Sequence, residues 1–220
     1  MATQASRLRQ TGVSKALRKS RLHGPFFCSR YGFSPYQGCG HGCLYCDGRA
    51  EKYYVKGEFD VDIVARTNIV DLLADELPKL REPGIVDIGS GVSDAYQPVE
   101  AELELTRRAA KLLAARGFPV VLATKSSLVE RDLDIWGEIA RTAGFTLLMS
   151  IVTTDEALRA EVEPGASSIA ERLSTLRRFK EAGATTGVLA MPILPGLGDS
   201  EYQLRRLFRS AADAGVDCII

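Results

Sequence analysis

A regular alternation of helical and extended patterns is the feature that most restricts the fold of this chain. From residue 65 onward, amphipathic helix patterns end at Gly117, Gly144, Gly183 and Gly215, and a short apolar run follows each of them. Glycine ends a helix readily because it adopts the left-handed conformation that the position after the C-cap requires. Alternating strands and helices form right-handed βαβ units, which build a parallel sheet.

About six strands fit this pattern. The predicted strands lie near Tyr31 to Tyr36 and at residues 85–88, 120–123, 146–151, 188–190 and 216–220. Asn68 is expected to cap the first helix, and Ser168 with Glu171 forms a capping-box pattern. The arrangement suits a partial (β/α) barrel or a doubly wound sheet. In both folds the chemistry lies where strands end and loops begin.

Composition is that of an ordinary globular chain: of its 220 residues, 45% are hydrophobic and 25% are charged. The formal net charge is zero, so the molecule as a whole does not attract nucleic acid or membranes. The sequence contains no run of about 18 apolar residues, so no membrane span is predicted. The N-terminus has no apolar signal core, and we therefore expect a cytoplasmic protein.

The first 30 residues form a basic segment without aspartate or glutamate. Its basic side chains are Arg7, Arg9, Lys15, Arg18, Lys19, Arg21 and Arg30. We expect a solvated, partly disordered arm, and the alternative is an arm that contacts phosphates. Residues 31–220 are expected to form one core domain. Because residues 218–220 are apolar and strand-like, this domain is predicted to be truncated at its C-terminus.

Three cysteines in eight residues form the motif that carries chemistry. Cys39, Cys43 and Cys46 follow the spacing CxxxCxxC in a glycine-rich loop. Three thiolates in such a loop can bind one metal centre, and on a four-iron cluster they leave one iron open to a small molecule. The odd total of five cysteines argues against a disulfide framework in a cytoplasmic chain.

The alternative for this loop is a structural zinc site with Cys28 or His41 as the fourth ligand. Zinc sites usually show two separated pairs of ligands, and the sequence contains no second pair. We therefore expect Cys28 and Cys218 to be ordinary buried thiols. His41 is expected to be a loop residue.

The motif, with an aromatic residue before its last cysteine, resembles that of the radical S-adenosylmethionine (SAM) superfamily. The resemblance implies a partial barrel and a 4Fe–4S cluster that binds SAM through its amino and carboxylate groups. One-electron reduction then cleaves a carbon–sulfur bond, and a 5′-deoxyadenosyl radical abstracts hydrogen from the substrate. Tyr45 is expected to lie near the adenine.

Further stretches resemble the spore photoproduct lyase branch of that superfamily, the radical-based DNA repair photolyases. The similarity extends from about residue 31 to the end of the chain. The stretches that carry it are residues 91–100, 124–126, 131–132, 150–153, 163–164 and 192–196.

These stretches follow predicted strands, where a barrel places its active site. Ser93 and Asp94 are expected to accept the SAM amino group. Lys125 is expected to pair with the SAM carboxylate, and Ser150 to reach the carboxylate or the ribose. Tyr96 is a candidate catalytic residue that stacks on the substrate or relays a hydrogen atom. Glu163 and Arg172, weaker candidates, are expected to pair or to line the cavity.

One position departs from the branch. In the lyase, a hydrogen-donor cysteine lies two residues before the Ser-Asp pair, where this chain has Gly91. The sequence therefore predicts a radical SAM enzyme that uses the same machinery with another hydrogen donor or another substrate.

Partners follow from the same resemblance. They are an electron donor such as flavodoxin or ferredoxin and a substrate that is a nucleic acid, a peptide or a modified RNA; no membrane is expected. The alternative function is a non-catalytic, metal-stabilised module that binds nucleic acid through the basic arm.

Overall fold

The computed structural model describes residues 6–19, 28–89 and 92–220. Within them the strands are β1 (Arg7–Thr11), β2 (Arg18–Lys19), β3 (Tyr31–Phe33), β4 (Tyr36–Gln37), β5 (Asp62–Arg66), β6 (Val86–Ile88), β7 (Val120–Thr124), β8 (Phe145–Ser150), β9 (Thr185–Leu189) and β10 (Cys218–Ile219). The α-helices are α1 (Ile69–Glu76), α2 (Glu100–Leu103), α3 (Leu105–Ala115), α4 (Leu133–Thr142), α5 (Glu156–Val162), α6 (Ile169–Glu181) and α7 (Glu201–Asp213). No helix in these ranges is long and apolar enough to cross a membrane.

Parallel strands form the body of the main sheet. Their spatial order is β3, β6, β7, β8, β9 and β10, and β2 lies antiparallel beside β3 at one edge. This order follows the chain without a reversal, as in a (β/α) barrel, whereas a doubly wound sheet reverses at a switch point. In the part of the chain that is described, β2 and β10 do not pair, so the barrel is open. The predicted partial barrel is confirmed.

Aromatic rings join the central strand of the sheet to the helices beside it. Phe145 on β8 stacks on Trp136 of α4, with ring centroids 4.7 Å apart. Phe179 of α6 lies 5.9 Å from Phe145 on another side. All three side chains are almost fully buried. Stacked and tilted ring pairs of this kind stabilise a core beyond the area they bury, so the sheet is a rigid support for the loops that follow its strands.

The helix boundaries agree with the glycine pattern. The four glycines predicted to end helices have positive φ, between 65° and 102°. The capping box also forms: the Ser168 hydroxyl accepts from the Glu171 N–H, and the Glu171 carboxylate accepts from the Ser168 N–H. Four elements were not predicted: the strands β1, β2 and β5 and the short helix α5.

Asn68 precedes α1 as expected, but its side chain does not cap the helix. Its amide oxygen accepts from the Val13 N–H at 2.8 Å, and its amide nitrogen donates to the Val13 carbonyl at 2.9 Å. The prediction of a side-chain cap is therefore wrong, because the reciprocal pair with the N-terminal segment occupies both ends of the amide.

The described part of the basic segment contacts the core. Strand β1 pairs in parallel with β5, and β5 pairs with β4, in a small second sheet. Arg7 donates two hydrogen bonds of 2.8 Å to the Asp62 carboxylate. Farther along, the Glu76 carboxylate accepts from the N–H groups of Ala16 and Leu17. Residues 1–5 and 20–27 of the expected arm, Arg21 among them, lie outside the described residues.

A buried ionic cluster lies on one side of the sheet, around Asp132. Its fully buried carboxylate accepts from the Tyr96 hydroxyl at 2.8 Å, from Arg107 at 2.6 Å and from Arg131 at 2.8 Å. Arg131 also pairs with the buried carboxylate of Glu100 at 2.8 Å. Two arginines therefore balance two carboxylates. Burial alone would raise the pKa of Asp132, but Arg131, Arg107 and the Tyr96 hydroxyl lower it below its usual value.

Replacing Asp132 with asparagine leaves two arginines with one carboxylate between them. We expect Asp132→Asn to lower the free energy of unfolding by about 3 kcal/mol, since removing one partner of a buried ion pair strands the other. Asp134→Asn is the matched control, because Asp134 is exposed and lies 3.4 Å from Arg107. Urea unfolding measures both differences at pH 7, and equal values for the two variants would contradict the assigned role.

The same variant predicts a dependence on pH. A carboxyl group whose pKa is lowered by folding stabilises the fold fully above its unfolded pKa of about 3.9. That stabilisation disappears as the pH falls through the lower, folded pKa. The difference between the wild type and Asp132→Asn should therefore be constant from pH 7 to about pH 4 and shrink in more acidic urea titrations.

Candidate functional site

A cavity of about 370 Å³ opens where β6, β7, β8 and β9 end. Its size falls within the range of sites that bind small molecules and cofactors. Parallel strands place their carboxyl ends at one edge of the barrel, so loops from distant parts of the sequence meet there. The predicted site residues that line the cavity are Cys39, Cys43, Cys46, Tyr45, Ser93, Asp94, Lys125 and Ser150.

The cysteine loop follows β4 and turns sharply at Gly38 and Gly42, whose φ angles are 79° and 65°. Cys39 and Cys43 are buried, and Cys46 is half-buried. Burial raises the pKa of the Cys43 thiol to about 12, against the opposing charge of Lys125, and burial likewise raises the pKa of Cys39. Thiols in this environment become thiolates when a metal centre binds them.

The three thiols line one cavity without converging on a single ion position. All of them line the same cavity, yet no three histidine, cysteine or acidic side chains among the described residues converge closely enough to hold one ion. A single zinc ion needs its sulfur ligands within about 2.3 Å of one position. A four-iron cluster is larger and takes a separate thiolate at each of three irons. The residues present fit such a cluster.

His41 fixes the loop from within and is buried. Its Nδ1 atom lies 2.9 Å from the carbonyl oxygen of Gly165, and its Nε2 atom lies 3.2 Å from Asp94. The Gly165 N–H donates in return to the carbonyl of His41 at 2.9 Å. The imidazole therefore joins the cysteine loop to two other loops, in agreement with the prediction that His41 is a loop residue.

Asp94 lines the cavity but binds four groups of its own chain. Its carboxylate accepts from the Tyr96 N–H at 2.8 Å, the Thr124 hydroxyl at 2.7 Å and the Lys125 N–H at 2.8 Å, and it faces His41. Burial alone would raise its pKa, but His41 and these hydrogen bonds lower the pKa to about 2. Three hydrogen bonds and the facing imidazole engage this carboxylate on several sides, so in this structure Asp94 holds neighbouring loops together.

Gln97 connects the cysteine loop to the loop after β6. Its side-chain nitrogen donates to the Gly38 carbonyl and to the Ser93 hydroxyl, each at 3.0 Å. Its side-chain oxygen accepts from the Gly40 N–H at 2.9 Å. Gln97 is fully buried. It stands inside a stretch that the sequence already singled out, but a glutamine gives no sign from sequence that both ends of its amide are used.

Lys125, Ser150 and Tyr45 come together in the cavity wall, and Glu163 joins them from behind. The Lys125 ammonium donates to the Ser150 hydroxyl. It also lies 3.4 Å from the Glu163 carboxylate and 5.6 Å from the centre of the Tyr45 ring. The Tyr45 hydroxyl donates to the same carboxylate. The expected convergence of Lys125 and Ser150 is therefore present.

Glu163 and Arg172 form the pair that was expected, at 2.6 Å, and both side chains are fully buried. Arg172 also donates to the carbonyls of Ser150 at 2.7 Å and Ser167 at 2.8 Å. Burial alone would raise the pKa of Glu163, but Lys125 and Arg172 lower it below its usual value. The carboxylate is therefore ionised at neutral pH.

Tyr96 is not brought together with the other predicted site residues. It is fully buried. Its hydroxyl donates to Asp132 and accepts from the Trp136 indole at 2.7 Å, in the ionic cluster rather than in the cavity. A side chain held there gives no support to a contact with substrate, because both roles of its hydroxyl are taken by the core.

Two further expectations concern residues away from the cavity. The prediction that Cys28 and Cys218 are buried is wrong, since Cys28 is exposed and Cys218 is half-buried. Both stand near the ends of short or edge segments, where little packs over a small side chain. Gly91, the position that departs from the lyase branch, lies outside the described residues.

Other cavity residues were not singled out from the sequence. They are Asp47, directly after the last cysteine of the motif, and Leu189 and Met191 at the end of β9. Their signal was only positional, since each follows a predicted strand or adjoins the motif. Met191 and Leu189 add apolar surface to a site in which the residues predicted from sequence are mostly polar.

Comparison with known proteins agrees with this geometry. The family model described as "Radical SAM superfamily" matches residues 33–208. An uncharacterized protein of Mycobacterium tuberculosis is 32% identical over 192 residues, which cover 84% of this chain and 56% of the relative. An uncharacterized protein of Methanocaldococcus jannaschii is 31% identical over 175 residues, covering 79% of this chain and 64% of the relative. The chain thus spans little more than half the length of the curated relatives that it matches.

Solved structures show the same fold. Spore photoproduct lyase complexed with dinucleoside spore photoproduct superimposes with a TM-score of 0.72 at 21% identity, over 96% of this chain and 58% of that one. Methylornithine synthase superimposes with a TM-score of 0.56 at 17% identity, over 86% of this chain and 51% of that one.

Gly165 allows the two loops around His41 to touch. A Cβ atom there would lie 2.5 Å from the Gly40 carbonyl oxygen and 2.9 Å from the His41 Cα. We expect Gly165→Ala to lower the free energy of unfolding by about 1–3 kcal/mol and to make Cys39 and Cys43 react faster with an aromatic disulfide reagent. Gly32→Ala is the control, because a Cβ at Gly32 meets nothing within 4 Å. Equal thiol reaction rates in the two variants would contradict this contact.

Proposed function

The chain belongs to the radical SAM superfamily, and from this premise we propose that it uses a 4Fe–4S cluster to cleave SAM reductively and start radical chemistry on a substrate. The proposal rests mainly on one observation. Cys39, Cys43 and Cys46 line the same cavity as Lys125 and Ser93, although these residues come from three separate parts of the sequence. A purely structural metal site has no need of a cation and a hydroxyl beside its ligands.

Cys39, Cys43 and Cys46 would hold three irons, which leaves the fourth open to the amino and carboxylate groups of SAM. When bound and reduced by one electron, the cluster supplies the cleavage of SAM to methionine and a 5′-deoxyadenosyl radical, which takes a hydrogen atom from the substrate.

Three cavity residues have a proposed contact with SAM. The Lys125 ammonium, which donates one hydrogen bond to Ser150, pairs with the SAM carboxylate. Charge-assisted hydrogen bonds of this kind are stronger than those between neutral groups. The Ser93 hydroxyl accepts from the amino group. The Tyr45 ring lies against the adenine, as the family resemblance implies. Asp94, whose carboxylate already accepts three hydrogen bonds from its own chain, acts by holding Lys125 and His41 in place.

Anaerobic preparation tests the proposal directly. We expect wild-type protein reconstituted without oxygen to be brown, to carry about four irons per chain, and to release 5′-deoxyadenosine from SAM when dithionite is added. Cys39→Ala should lose both the iron and the cleavage. Cys218→Ala is the matched control, since Cys218 stands at β10, away from the cavity, and it should keep both. Colourless wild-type protein with one zinc would refute the cluster.

We propose a small redox protein such as flavodoxin or ferredoxin as the electron donor, as the family resemblance implies. We propose the cytoplasm as the compartment. The described cysteines are all free, and thiols and reduced clusters persist where the surroundings are reducing.

We propose nucleic acid as the substrate class, with a reaction that differs from that of spore photoproduct lyase. One structural neighbour is complexed with dinucleoside spore photoproduct. On this chain, Arg9, Arg18 and Lys19 are exposed on β1 and β2, where they can contact phosphates. Gly91, however, offers no thiol hydrogen to close a radical cycle on a thymine dimer.

An assay on DNA that contains spore photoproduct tests the proposed substrate class and the proposed difference in reaction separately. With reduced enzyme and SAM we expect 5′-deoxyadenosine to form, with little or no repaired thymine, because no thiol stands at residue 91. Gly91→Cys should raise the yield of thymine. Chromatography of the digested DNA measures both products. Efficient repair by the wild type would contradict the expectation.

The alternative, a non-catalytic module that binds nucleic acid through the basic arm, receives less support. Arg7, one of the arm's cations, pairs with Asp62 in the core. The module would bind DNA tightly and in a salt-sensitive manner, would lose this on removal of residues 1–30, and would not consume SAM. The cleavage assay above decides between the two.

A further inference from the structure

We propose that Glu163 is a positioning residue for SAM: it holds the Tyr45 ring and the Lys125 ammonium in the orientation that receives the cofactor. The inference rests on the proposed function and adds to it a residue that contacts neither the cluster nor SAM. Glu163 does not line the cavity. It acts through two residues that do.

The two oxygens of Glu163 have different partners. Oε2 faces Arg172 at 2.6 Å, behind the cavity wall. Oε1 accepts from the Tyr45 hydroxyl and lies 3.4 Å from the Lys125 ammonium. One carboxylate oxygen is thus occupied by the protein interior, and the other by two side chains of the cofactor site. An ion pair that served only the fold would have no reason to include both cavity residues.

The charges of this group leave one positive charge for a ligand. Lys125 and Arg172 bring two positive charges and Glu163 one negative charge. Arg172 is fully buried and further held by the Ser150 carbonyl, whereas the side chain of Lys125 keeps 15% of its surface exposed. Glu163 therefore compensates the charge of the buried Arg172 guanidinium. The remaining positive charge is on the Lys125 ammonium in the cavity wall, where it can pair with a carboxylate of the ligand.

Glu163 also sets the geometry between the ammonium and the ring. Because both are bound to the same oxygen, Lys125 Nζ stays over the face of Tyr45, 5.6 Å from its centre. This distance is within the range of cation–π attraction. A ring held in this way has lost the freedom to rotate before SAM arrives, and such preorganisation raises affinity.

The backbone on either side of Glu163 is fastened to the cysteine loop. The Val162 carbonyl accepts from the Leu44 N–H at 2.9 Å, and the Gly165 N–H donates to the His41 carbonyl at 2.9 Å. The turn at residues 162–165 therefore holds the cysteine loop through its main chain and the SAM residues through one side chain. These two roles can be changed separately.

Two substitutions of Glu163 separate its reach from its charge. Glu163→Asp keeps the charge but withdraws the carboxylate by about 1.5 Å, the length of one carbon–carbon bond. Glu163→Gln keeps the reach but removes the charge. Glu161→Asp is the matched control, because Glu161 lies on α5, two residues before Glu163, and is exposed. Tyr45→Phe removes the bond to Glu163 with no change of charge and serves if the Glu163 variants do not fold.

The measurements are iron per chain, the free energy of unfolding, and the dissociation constant of SAM by equilibrium dialysis without reductant, so that no turnover is needed. We expect Glu163→Asp and Glu163→Gln to bind SAM about tenfold more weakly, which corresponds to about 1.4 kcal/mol, with iron unchanged. Tyr45→Phe should weaken binding by a smaller factor, and Glu161→Asp should match the wild type.

The outcomes are distinct. Folded Glu163 variants that bind SAM as tightly as the wild type would overturn the inference and leave the proposed function intact. If they do not fold, unchanged binding by Tyr45→Phe overturns it equally. Loss of iron in parallel with loss of SAM binding would show a structural role and also overturn it. Wild-type protein that carries iron but binds no SAM would overturn the proposed function, and the inference with it.

Discussion

The carboxylate of Asp94 is the contact on which the geometry of the cavity depends. It joins the loop after β6 to the end of β7 through Thr124 and the Lys125 N–H, and to the cysteine loop through His41. Three loops from different parts of the chain are therefore held by one buried group. Against the effect of burial, His41 and these hydrogen bonds lower its pKa to about 2, so the carboxylate is ionised and accepts its three hydrogen bonds across the range of physiological pH.

Two buried ionic groups flank the parallel strands and serve different purposes. Around Asp132 the charges balance, and the side chains do not line the cavity, so this cluster joins α2, α3 and the segment before α4 to one another. Around Glu163 one positive charge remains, and it faces the cavity. Balanced charges suit a structural cluster, whereas an uncompensated positive charge in a cavity wall suits the binding of an anionic group. This comparison of charge distinguishes the two groups where burial alone does not.

Much of this architecture was accessible from the sequence because its signals are local. Helix ends marked by glycines and the capping box at Ser168 depend on a few neighbouring residues, and they were predicted correctly. The elements that were missed are β1, β2, β5 and α5. The first two lie in a basic segment, and β5 pairs with β1 in the small second sheet, outside the alternation of strands and helices on which the prediction rested. The side chain of Asn68 was misread because its partner, Val13, is 55 residues away.

The site divides in the same way. The cysteine spacing and the strand-end positions of Lys125 and Ser150 located the cavity from sequence alone. Tyr96 stands in the same recognisable stretch as Ser93, yet the structure directs its ring into the core, since adjacent positions in a loop point in different directions. The pairing of Glu163 with Arg172 was expected, but the contact of Glu163 with Tyr45 joins residues 118 positions apart, and no periodicity or spacing indicates it.

The small sheet that contains β1 gives the N-terminal segment an unexpected place in the molecule. Strand β1 borders β5, β5 borders β4, and β4 leads directly into the loop of the three cysteines. Shortening or fusing the chain near Arg7 would therefore disturb the small sheet that supports the cysteine loop, even though Arg7 is remote from that loop in sequence. A segment whose composition suggests an appendage is, by its pairing, part of the scaffold that supports the cysteine loop.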